Sequence, residues 1–446
     1  MPADKPQNTE LFLRRFCQLY GEGGATVLRA PARINILGEH VDYVSYLPTA
    51  SLAFGSREHA MTMVFRPTGE GKIRGASTNE RFESFEFSID EMKTPSRDEQ
   101  DWEAFVFNCP TPAPHWNNYV KGAVSFARWK FGESVKHGFD FLIDSTIPSA
   151  SGASSSSALV VLAGAAIRLS NAIEYENGDL AIDSSQAEWF LGTRGGALDH
   201  KAICLAKAGQ AVHILHSEKS AELVTLPEGN FRWLTFFSHS ADKGREVMLE
   251  YNERAAVSRL MIPAFLDSGN SIEILPEAVT LAEIAKLHPA VFADCERMFP
   301  ALVSERSALS LKLRNRARHH AGEVERVAFA VKLLRHPPDS RTLLTEIGGL
   351  LNQSHTSLRD LYEVSTPEVE SLVDAISADD RVYGARLMGG GFGGNVLALT
   401  TAENVNALIK RVQREYYSPR NRDCLAEASV MISTPGEGIS ILNLDS

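Results

Sequence analysis

Apolar residues along the chain switch between the spacing of helices and that of strands. Phe12, Phe16 and Leu19 fall on one face of a helix predicted over residues 10–20. Runs rich in β-branched and aromatic residues predict strands, whereas longer Ala- and Leu-rich runs predict helices. Strands are predicted at residues 25–29, 60–65, 85–87, 139–144, 211–216, 232–237 and 395–400, and helices at 116–129, 158–167, 185–191, 201–207 and 244–260, with more helices up to 334. The chain therefore mixes both kinds of element.

A loop of small residues joins the predicted strand 139–144 to the predicted helix 158–167, and seven of its thirteen residues are serines in a span that also holds Gly152 and Ala153. The first N–H groups of a helix lack intrahelical partners and favour negative charge, so such a loop is typical of a phosphate site. Its hydroxyls could contact phosphate oxygens or Mg²⁺. No Walker or dinucleotide glycine pattern is present. A flexible Ser-rich loop is the alternative.

A second unusual stretch, residues 29–43, crowds Arg33, Glu39, His40 and Asp42 around a short apolar strand. Ionised oxygen acceptors bind sugar hydroxyls strongly, so this group of side chains indicates a polyhydroxylated ligand. A solvated turn with local ion pairs is the alternative.

Size and charge narrow the class of partner. A chain of 446 residues with 44% hydrophobic residues can bury a large core and is predicted to form two domains. A net charge of −11 gives no footprint for nucleic acid or an anionic membrane, which favours a small-molecule partner. No signal peptide or membrane-length apolar run is found, and five scattered cysteines indicate reduced packing residues, so a cytoplasmic location is expected.

The order of the motifs resembles the galactokinase family of the GHMP small-molecule kinases. Residues 32–43 read Ala-Arg-Ile-Asn-Ile-Leu-Gly-Glu-His-Val-Asp-Tyr and are similar to the galactokinase signature, the Ser-rich loop is similar to the family's ATP motif, and residues 384–394 are similar to its glycine-rich third motif. The resemblance implies a two-domain α+β fold with mixed sheets and a nucleotide cleft between the domains. The domains are predicted at residues 1–215 and 216–446.

The resemblance also implies roles for single residues. It makes Asp199 the catalytic base, with Arg33 beside it, although the sequence alone also allows Asp199 as the N-cap of helix 201–207. It implies sugar contacts for Glu39, His40, Asp42, Gly196 and Tyr251 and nucleotide contacts for Gly152, Ala153, Ser154, Ser155, Ser156 and Ser157. Ser156 and Glu188 are expected to hold Mg²⁺, with Glu188 one residue closer to Asp199 than is usual in the family.

Some residues carry alternatives. Tyr251 falls at core spacing on its helix and could simply pack. His319 and His320 have no further spaced ligand and are interpreted as helix surface or packing rather than as a metal site. Residues 43–48 are two residues shorter than the galactokinase pattern and lack its glycine, which leaves the sugar open among galactose, N-acetylgalactosamine, arabinose, a uronic acid or another polyol.

The predicted function is transfer of the γ-phosphoryl group of ATP, with Mg²⁺, to a sugar hydroxyl, most simply the anomeric one of galactose or a related sugar. Two alternatives are a non-catalytic regulator that binds sugar and nucleotide on the same fold, and a GHMP kinase for a different sugar or polyol. The expected partners are the sugar and ATP, without nucleic acid or membrane, and the expected state is a monomer or weak homo-oligomer.

Overall fold

The computed structural model of the protein describes residues 9–92, 94, 101–113, 115–148, 153–192, 195–226, 229–240, 245–266, 271–306 and 308–442. These residues form an α+β protein with two mainly antiparallel sheets, as predicted. None of the described helices is long and apolar enough to cross a membrane.

Strands in the described residues form a large sheet and a small one. The strands are β1 (Thr26–Leu37), β2 (Ala50–Pro67), β3 (Lys72–Ser77), β4 (Phe85–Ser88), β5 (Phe139–Ser145), β6 (Gln210–Leu215), β7 (Ser220–Thr225), β8 (Phe231–Phe237), β9 (Gly384–Met388), β10 (Asn395–Thr401), β11 (Val430–Ser433), β12 (Pro435–Gly436) and β13 (Ser440–Leu442). The large sheet has the order β13-β1-β2-β5-β3-β4, with β6, β7 and β12 reached through β2. The small sheet has the order β11-β8-β10-β9. Only β3 and β5 pair in parallel within these described ladders.

Helices cover these sheets. They are α1 (Thr9–Tyr20), α2 (Trp102–Asn108), α3 (Asn117–Phe131), α4 (Ser155–Ser170), α5 (Asn177–Glu188), α6 (Leu198–Leu205), α7 (Arg245–Ala256), α8 (Ile262–Leu266), α9 (Leu281–Leu287), α10 (Pro289–Met298), α11 (Pro300–Glu305), α12 (Leu313–Arg335), α13 (Ser340–Ser357), α14 (Pro367–Ser377) and α15 (Val405–Val412). Short π-helical segments continue α7 at Val257–Met261 and α13 at Leu358–Tyr362. The loop between α12 and α13 holds the predicted Pro337-Pro338 pair.

Strand β1 joins the predicted strand 25–29 to the short apolar strand predicted within residues 29–43, and it ends at Leu37, before Glu39, His40 and Asp42. Its pairing with β2 shifts register between Pro31 and Arg33 and again between Asn35 and Leu37. A register shift re-aims the side chains that follow it. The two irregularities lie on either side of Arg33, which is almost fully buried.

Helix α4 is the centre of the first part of the molecule. Residues Ala158 to Ile167 are all buried, so the Ala- and Leu-rich run is a core helix as predicted. It packs between α3, α5 and strands β1 and β2. Burial of apolar surface stabilises this arrangement, and it also fixes the start of α4 relative to β1.

The last part of the chain connects the two sheets. Strands β8 to β11 form the small sheet, on which α14 and α15 pack around a separate apolar cluster. Strand β12 then pairs with β2, and β13 pairs with β1, so the chain returns to the large sheet. Strand β7 pairs with β6 in the large sheet, beyond residue 215. The division into domains at 215/216 stays a prediction.

Most other predicted elements are present within a few residues of their expected ends, but β2 begins at Ala50 rather than at residue 60, and α5 begins at Asn177 rather than at residue 185. Helix α1, strand β5, strand β8 and strand β10 match closely. One detail differs, because Leu19 is 50% exposed whereas Phe12 and Phe16 are buried. The five cysteines, all within the described residues, form no disulfide, and three of them are buried, which agrees with packing roles.

Candidate active site

The strongest polar contact of the site joins Arg33 on β1 to Asp199 on α6. Arg33 Nε donates a hydrogen bond to Asp199 Oδ1 at 2.7 Å. The Arg33 side chain is 4% exposed, whereas that of Asp199 is 31% exposed. Burial by itself would raise the pKa of Asp199, but the charge and hydrogen bond of Arg33 outweigh it and hold that pKa below its usual value. Asp199 is therefore an ionised carboxylate that a ligand can still reach.

Asp199 lies inside the first turn of α6, not at its N-cap. The helix begins at Leu198, and the cap residue is Ala197, which makes no side-chain capping bond. The N-cap alternative for Asp199 is therefore wrong. The carboxylate binds Arg33, a partner 166 residues away, instead of its own helix.

Asp42 and Gly196 touch each other next to this pair. A Cβ atom on Gly196 would lie 2.4 Å from the Asp42 carbonyl oxygen and 2.5 Å from Asp42 Oδ2, so only glycine fits. The Leu198 N–H donates to Asp42 Oδ2 at 3.5 Å. Burial, together with the negative charge of Asp199, raises the pKa of Asp42 to about 6. Two carboxylates thus face one small volume.

His40 is held in an unusual backbone conformation at the same place. Its φ is +57°, in the left-handed region that most residues avoid. His40 Nδ1 is 2.9 Å from the Tyr43 hydroxyl, and the buried Nε2 atom has no hydrogen-bond partner in the described chain. Burial lowers the pKa of His40 to about 4, so the ring is neutral at physiological pH. A buried ring nitrogen without a partner in the described chain is a candidate for a ligand contact.

Glu39 connects the charged stretch to the glycine-rich motif. Its Oε1 atom accepts hydrogen bonds from the Gly389 N–H at 2.7 Å and from Arg386 Nη2 at 3.1 Å. Arg386 is fully buried and also donates to the Asn35 carbonyl at 2.7 Å. At least one oxygen of Glu39 is therefore occupied by protein donors.

The glycine-rich segment needs its glycines for backbone shape. Gly389, Gly391, Gly393 and Gly394 all have positive φ values. A Cβ on Gly391 would lie 2.5 Å from a side-chain carbon of Val364. The glycines of this segment therefore allow it to pack closely against other residues of the protein.

Tyr251 on α7 borders three of the sequence motifs. Its hydroxyl lies 3.6 Å from where a Cβ of Gly195 would be, and its ring lies 3.6 Å from the same position on Gly390. The ring centroids of Tyr251 and His40 are 5.9 Å apart. Tyr251 is half-buried and is not part of the apolar clusters found among the described residues.

The described part of the Ser-rich loop lies beside Arg33. The Arg33 N–H donates to the Ala153 carbonyl at 3.4 Å, and Ser154 adopts a left-handed φ of +61° just before α4. The N-cap residue Ser154 makes no side-chain capping bond to α4, and a helical hydrogen bond runs from the Ala158 N–H to the Ser154 carbonyl. The N–H groups before Ala158 are therefore oriented outwards at the helix start. Gly152, predicted to contact nucleotide, lies outside the described residues.

Glu188 lies next to this helix start, at the end of α5. Its Oε2 atom accepts a hydrogen bond from Ser157 Oγ at 2.9 Å and lies 2.9 Å from His200 Nε2. The serine that meets Glu188 is thus Ser157, one residue after the predicted Ser156, which is half-buried at the same turn. No group of three or more His, Cys, Asp or Glu side chains suited to a metal occurs among the described residues.

Comparison with known proteins identifies the family. The model for the GHMP kinases N terminal domain matches residues 118–207, and that for the GHMP kinases C terminal matches residues 332–418. The galactokinase galactose-binding signature matches residues 14–50. The chain belongs to the galactokinase family of the GHMP kinases. The stretch around Arg33 and His40 is therefore the signature of this family.

Similarity to individual proteins extends over nearly the whole of this GHMP kinase. It is 28% identical to the galactokinase of Enterococcus faecalis, covering 91% of this chain and 94% of that protein. It is 29% identical to the galactokinase of Actinobacillus succinogenes, covering 98% of both. The structure of Lactococcus lactis galactokinase complexed with galactose superposes with a TM-score of 0.72 at 26% identity, covering 96% of this chain and 98% of the other.

Two side chains of this GHMP kinase site escaped the sequence analysis. Arg386 lies within the glycine-rich motif, which was interpreted from its glycines alone. A charged residue in an apolar strand nevertheless indicates a buried partner. Arg259 lies eight residues after Tyr251, about two helical turns along the same face. Its guanidinium carbon is 6.0 Å from the ring centre of Tyr43 and 5.3 Å from that of Trp189.

Proposed function

We propose that this galactokinase-type kinase transfers the γ-phosphoryl group of ATP to the anomeric hydroxyl of galactose or a closely related sugar, with Asp199 as the proton acceptor. The observation that supports this most directly is the Arg33–Asp199 pair at 2.7 Å, with Asp42, Gly196 and His40 next to it. The ionised carboxylate that would accept the proton thus lies next to polar groups that can bind sugar hydroxyls.

The proposed reaction is a single phosphoryl transfer with one proton acceptor. The sugar oxygen forms a bond to the γ-phosphorus while the bond from that phosphorus to the β–γ bridging oxygen breaks, and ADP leaves. The hydroxyl proton goes to Asp199 Oδ. Transition states of this kind are loose, so positioning and charge stabilisation matter more than base strength. A low pKa for Asp199 suits this role, since it keeps the carboxylate ionised and aligned by Arg33.

The sugar contacts follow from which polar atoms remain available. We assign Asp42, the His40 Nε2 atom, the Gly196 backbone and the Tyr251 hydroxyl to the sugar hydroxyls. Glu39 is better suited to positioning His40, because its Oε1 is already bound to Gly389 and Arg386. Removing Glu39 would then act through the shape of the pocket.

The nucleotide fits the uncapped start of α4. N–H groups of the first turn and the hydroxyls of Ser154, Ser155, Ser156 and Ser157 would bind the phosphates, together with the backbone of Gly152 and Ala153. Glu188 and the Ser156 and Ser157 hydroxyls form a hard oxygen donor set, which suits Mg²⁺ because that ion uses one or two carboxylates plus phosphates and water. Bound Mg²⁺ would neutralise charge that develops on the phosphates.

The test is ADP formation by the purified protein with MgATP and a panel of free sugars: galactose, N-acetylgalactosamine, arabinose, galacturonate and myo-inositol. The proposal expects turnover with galactose or one close relative, and a phosphate on the anomeric carbon by ³¹P NMR. Phosphate on another carbon would contradict the assigned acceptor hydroxyl. ATP binding without turnover on any sugar would favour a regulator on the same fold.

A further inference from the structure

A continuous chain of hydrogen bonds leads from His40 to the short loop that departs from the galactokinase pattern. His40 Nδ1 is 2.9 Å from the Tyr43 hydroxyl, which is 2.8 Å from the Tyr362 hydroxyl. Tyr362 is 3.1 Å from Ser258 Oγ, which is 3.3 Å from His320 Nε2. His320 Nδ1 is 2.6 Å from the hydroxyl of Tyr46. The chain has five links and joins the loop after β1, the π-helical segments that follow α7 and α13, and helix α12.

The interior of this chain is closed to water. Tyr362, Ser258 and His320 are fully buried, and Tyr43 is 7% exposed. Tyr46 is half-buried and forms the outer end. An unpaired buried donor or acceptor costs about 1–3 kcal/mol. Each pair of neighbouring atoms in the chain is therefore most stable with one proton between them.

Both histidines in the chain are neutral. Burial lowers the pKa of His40 to about 4 and that of His320 well below its usual value. A neutral imidazole carries one N–H and one lone pair, so it must donate on one side and accept on the other. The two links at His320 therefore run in the same direction.

Proton counting then leaves two arrangements that satisfy every link. In one, Tyr46 donates to His320 Nδ1, each group donates to the next, and Tyr43 donates to His40 Nδ1, which leaves His40 Nε2 as an N–H donor. In the other, His40 Nδ1 donates to Tyr43, all directions reverse, and His40 Nε2 is an acceptor. Mixed directions would leave the proton of a buried hydroxyl such as Tyr362 without a partner.

We propose that Tyr46 is a positioning residue that sets the ring tautomer of His40 through this chain, and so decides whether Nε2 donates to or accepts from a sugar hydroxyl. The inference rests on the proposed function for its kinetic consequence, while the tautomer itself can be measured without catalysis. This role of Tyr46 also assigns a function to the shortened loop, because Tyr46 lies within residues 43–48.

The direct test is ¹⁵N NMR of protein labelled at histidine, with the His40 signals assigned by loss in His40→Gln. The wild type is expected to show one dominant His40 tautomer. Tyr46→Phe removes the outer link, and Ser258→Ala breaks the middle, so each is expected to shift the His40 ring nitrogens towards a mixture or the other tautomer. Unchanged His40 signals in both folded variants would overturn the proposal.

The kinetic test compares Tyr46→Phe with wild type on the accepted sugar and on its monodeoxy analogues. KM for the sugar is expected to rise about tenfold, the usual scale of one buried hydrogen bond, with KM for ATP unchanged. The difference should vanish for the one analogue that lacks the hydroxyl facing His40, and in a His40→Ala background. A merely structural role would weaken all analogues equally and would persist in that background.

Tyr20→Phe is the matched control. Tyr20 is also half-buried, and its hydroxyl donates to the Phe141 carbonyl at 3.2 Å, far along the chain from the site. Its removal is expected to leave the His40 signals and both KM values unchanged. If the wild type phosphorylates no sugar, the proposed function fails, whereas the NMR result still decides the tautomer.

Discussion

The charge state of single residues explains how two carboxylates can share one small volume. Arg33 keeps Asp199 ionised. Burial and the negative charge of Asp199 raise the pKa of Asp42 to about 6. The two acids thus differ in acidity because Asp199 has a cation at hydrogen-bond distance, whereas burial and the negative charge of Asp199 raise the pKa of Asp42 more than its backbone hydrogen bond at 3.5 Å lowers it.

Replacing Asp199 by Asn tests the catalytic assignment. Asn keeps the shape but cannot take a proton or carry the charge that aligns Arg33, so kcat is expected to fall by at least about 10²-fold, the usual scale for a positioned base. ATP affinity, measured by calorimetry, should change little. A variant that turns over normally would remove Asp199 from the chemistry.

Asp42 predicts a dependence on pH with a definite sign. Because its folded pKa, about 6, is above the ordinary value of a free carboxyl, the folded state binds more protons than the unfolded state between the two values. Ionised Asp42 therefore costs stability above pH 6; this cost begins to decrease as the pH falls through that value and is gone only below the ordinary pKa of a free carboxyl. The unfolding temperature of Asp42→Asn should exceed that of wild type at pH 8, with the difference shrinking towards pH 5, while sugar affinity is reduced throughout. A difference that is constant with pH would contradict the shift.

At the scale of elements, the site depends on where strand β1 and helices α4 and α6 begin and end. The β1 irregularities aim Arg33 at α6, and the Ala153 carbonyl fixes the start of α4 against the same strand. Gly196 then lets the approach to α6 pass directly against Asp42. The elements meet through backbone contacts that few side chains would permit.

Gly196→Ala tests this close approach. Its Cβ would lie 2.4–2.6 Å from atoms of Asp42, so the loop before α6 must move, and KM for the sugar is expected to rise at least about tenfold because a displacement of this size spoils alignment. Gly349→Ala, in the middle of α13 with open space around it, is the control. It should leave KM unchanged and stabilise the fold by about 1 kcal/mol, since Ala is the better helix former.

At the scale of the whole molecule, the buried ion pair of Glu39 and Arg386 connects the charged stretch of residues 29–43 to the glycine-rich motif of residues 384–394. Glu39 and Gly389 are 350 residues apart, and Arg386 supports the same contact from strand β9 of the small sheet. Charges buried in this way are costly if either partner is lost. The geometry of the sugar pocket therefore depends on the docking of the small sheet.

Arg386→Met should show this dependence as lost stability. It leaves Glu39 buried without its cation, so the free energy of unfolding in urea is expected to fall by about 3–5 kcal/mol. Arg359→Met is the matched control, because the side chain of Arg359 is 44% exposed and pairs with Asp360 at the surface. That change should cost less than about 1 kcal/mol. Equal losses in the two variants would show that the Glu39 pair has no special role.

Much of the fold and of the candidate site could be predicted from local sequence. The buried helix α4, the core strands, the family and the small set of residues around Arg33, Asp42 and Asp199 follow from periodicity, glycine positions and motif order. These features are local, because hydrophobic spacing and backbone freedom act over a few residues. The continuity of β1 was missed, because Pro31 and Arg33 separate the two predicted strands and such residues are unusual inside a strand.

What tertiary structure alone decided is the partner of each polar group. The sequence left Asp199 open between a base beside Arg33 and an N-cap, and it left His319 and His320 open between helix surface and packing. The fold pairs Asp199 with Arg33 and buries both histidines as packing residues. It also brings the Ser157 hydroxyl to Glu188, a contact that the sequence did not indicate. The physical reason is that hydrogen bonds and charges pair across whatever distance the packing of apolar faces closes, and that packing is a property of the whole chain.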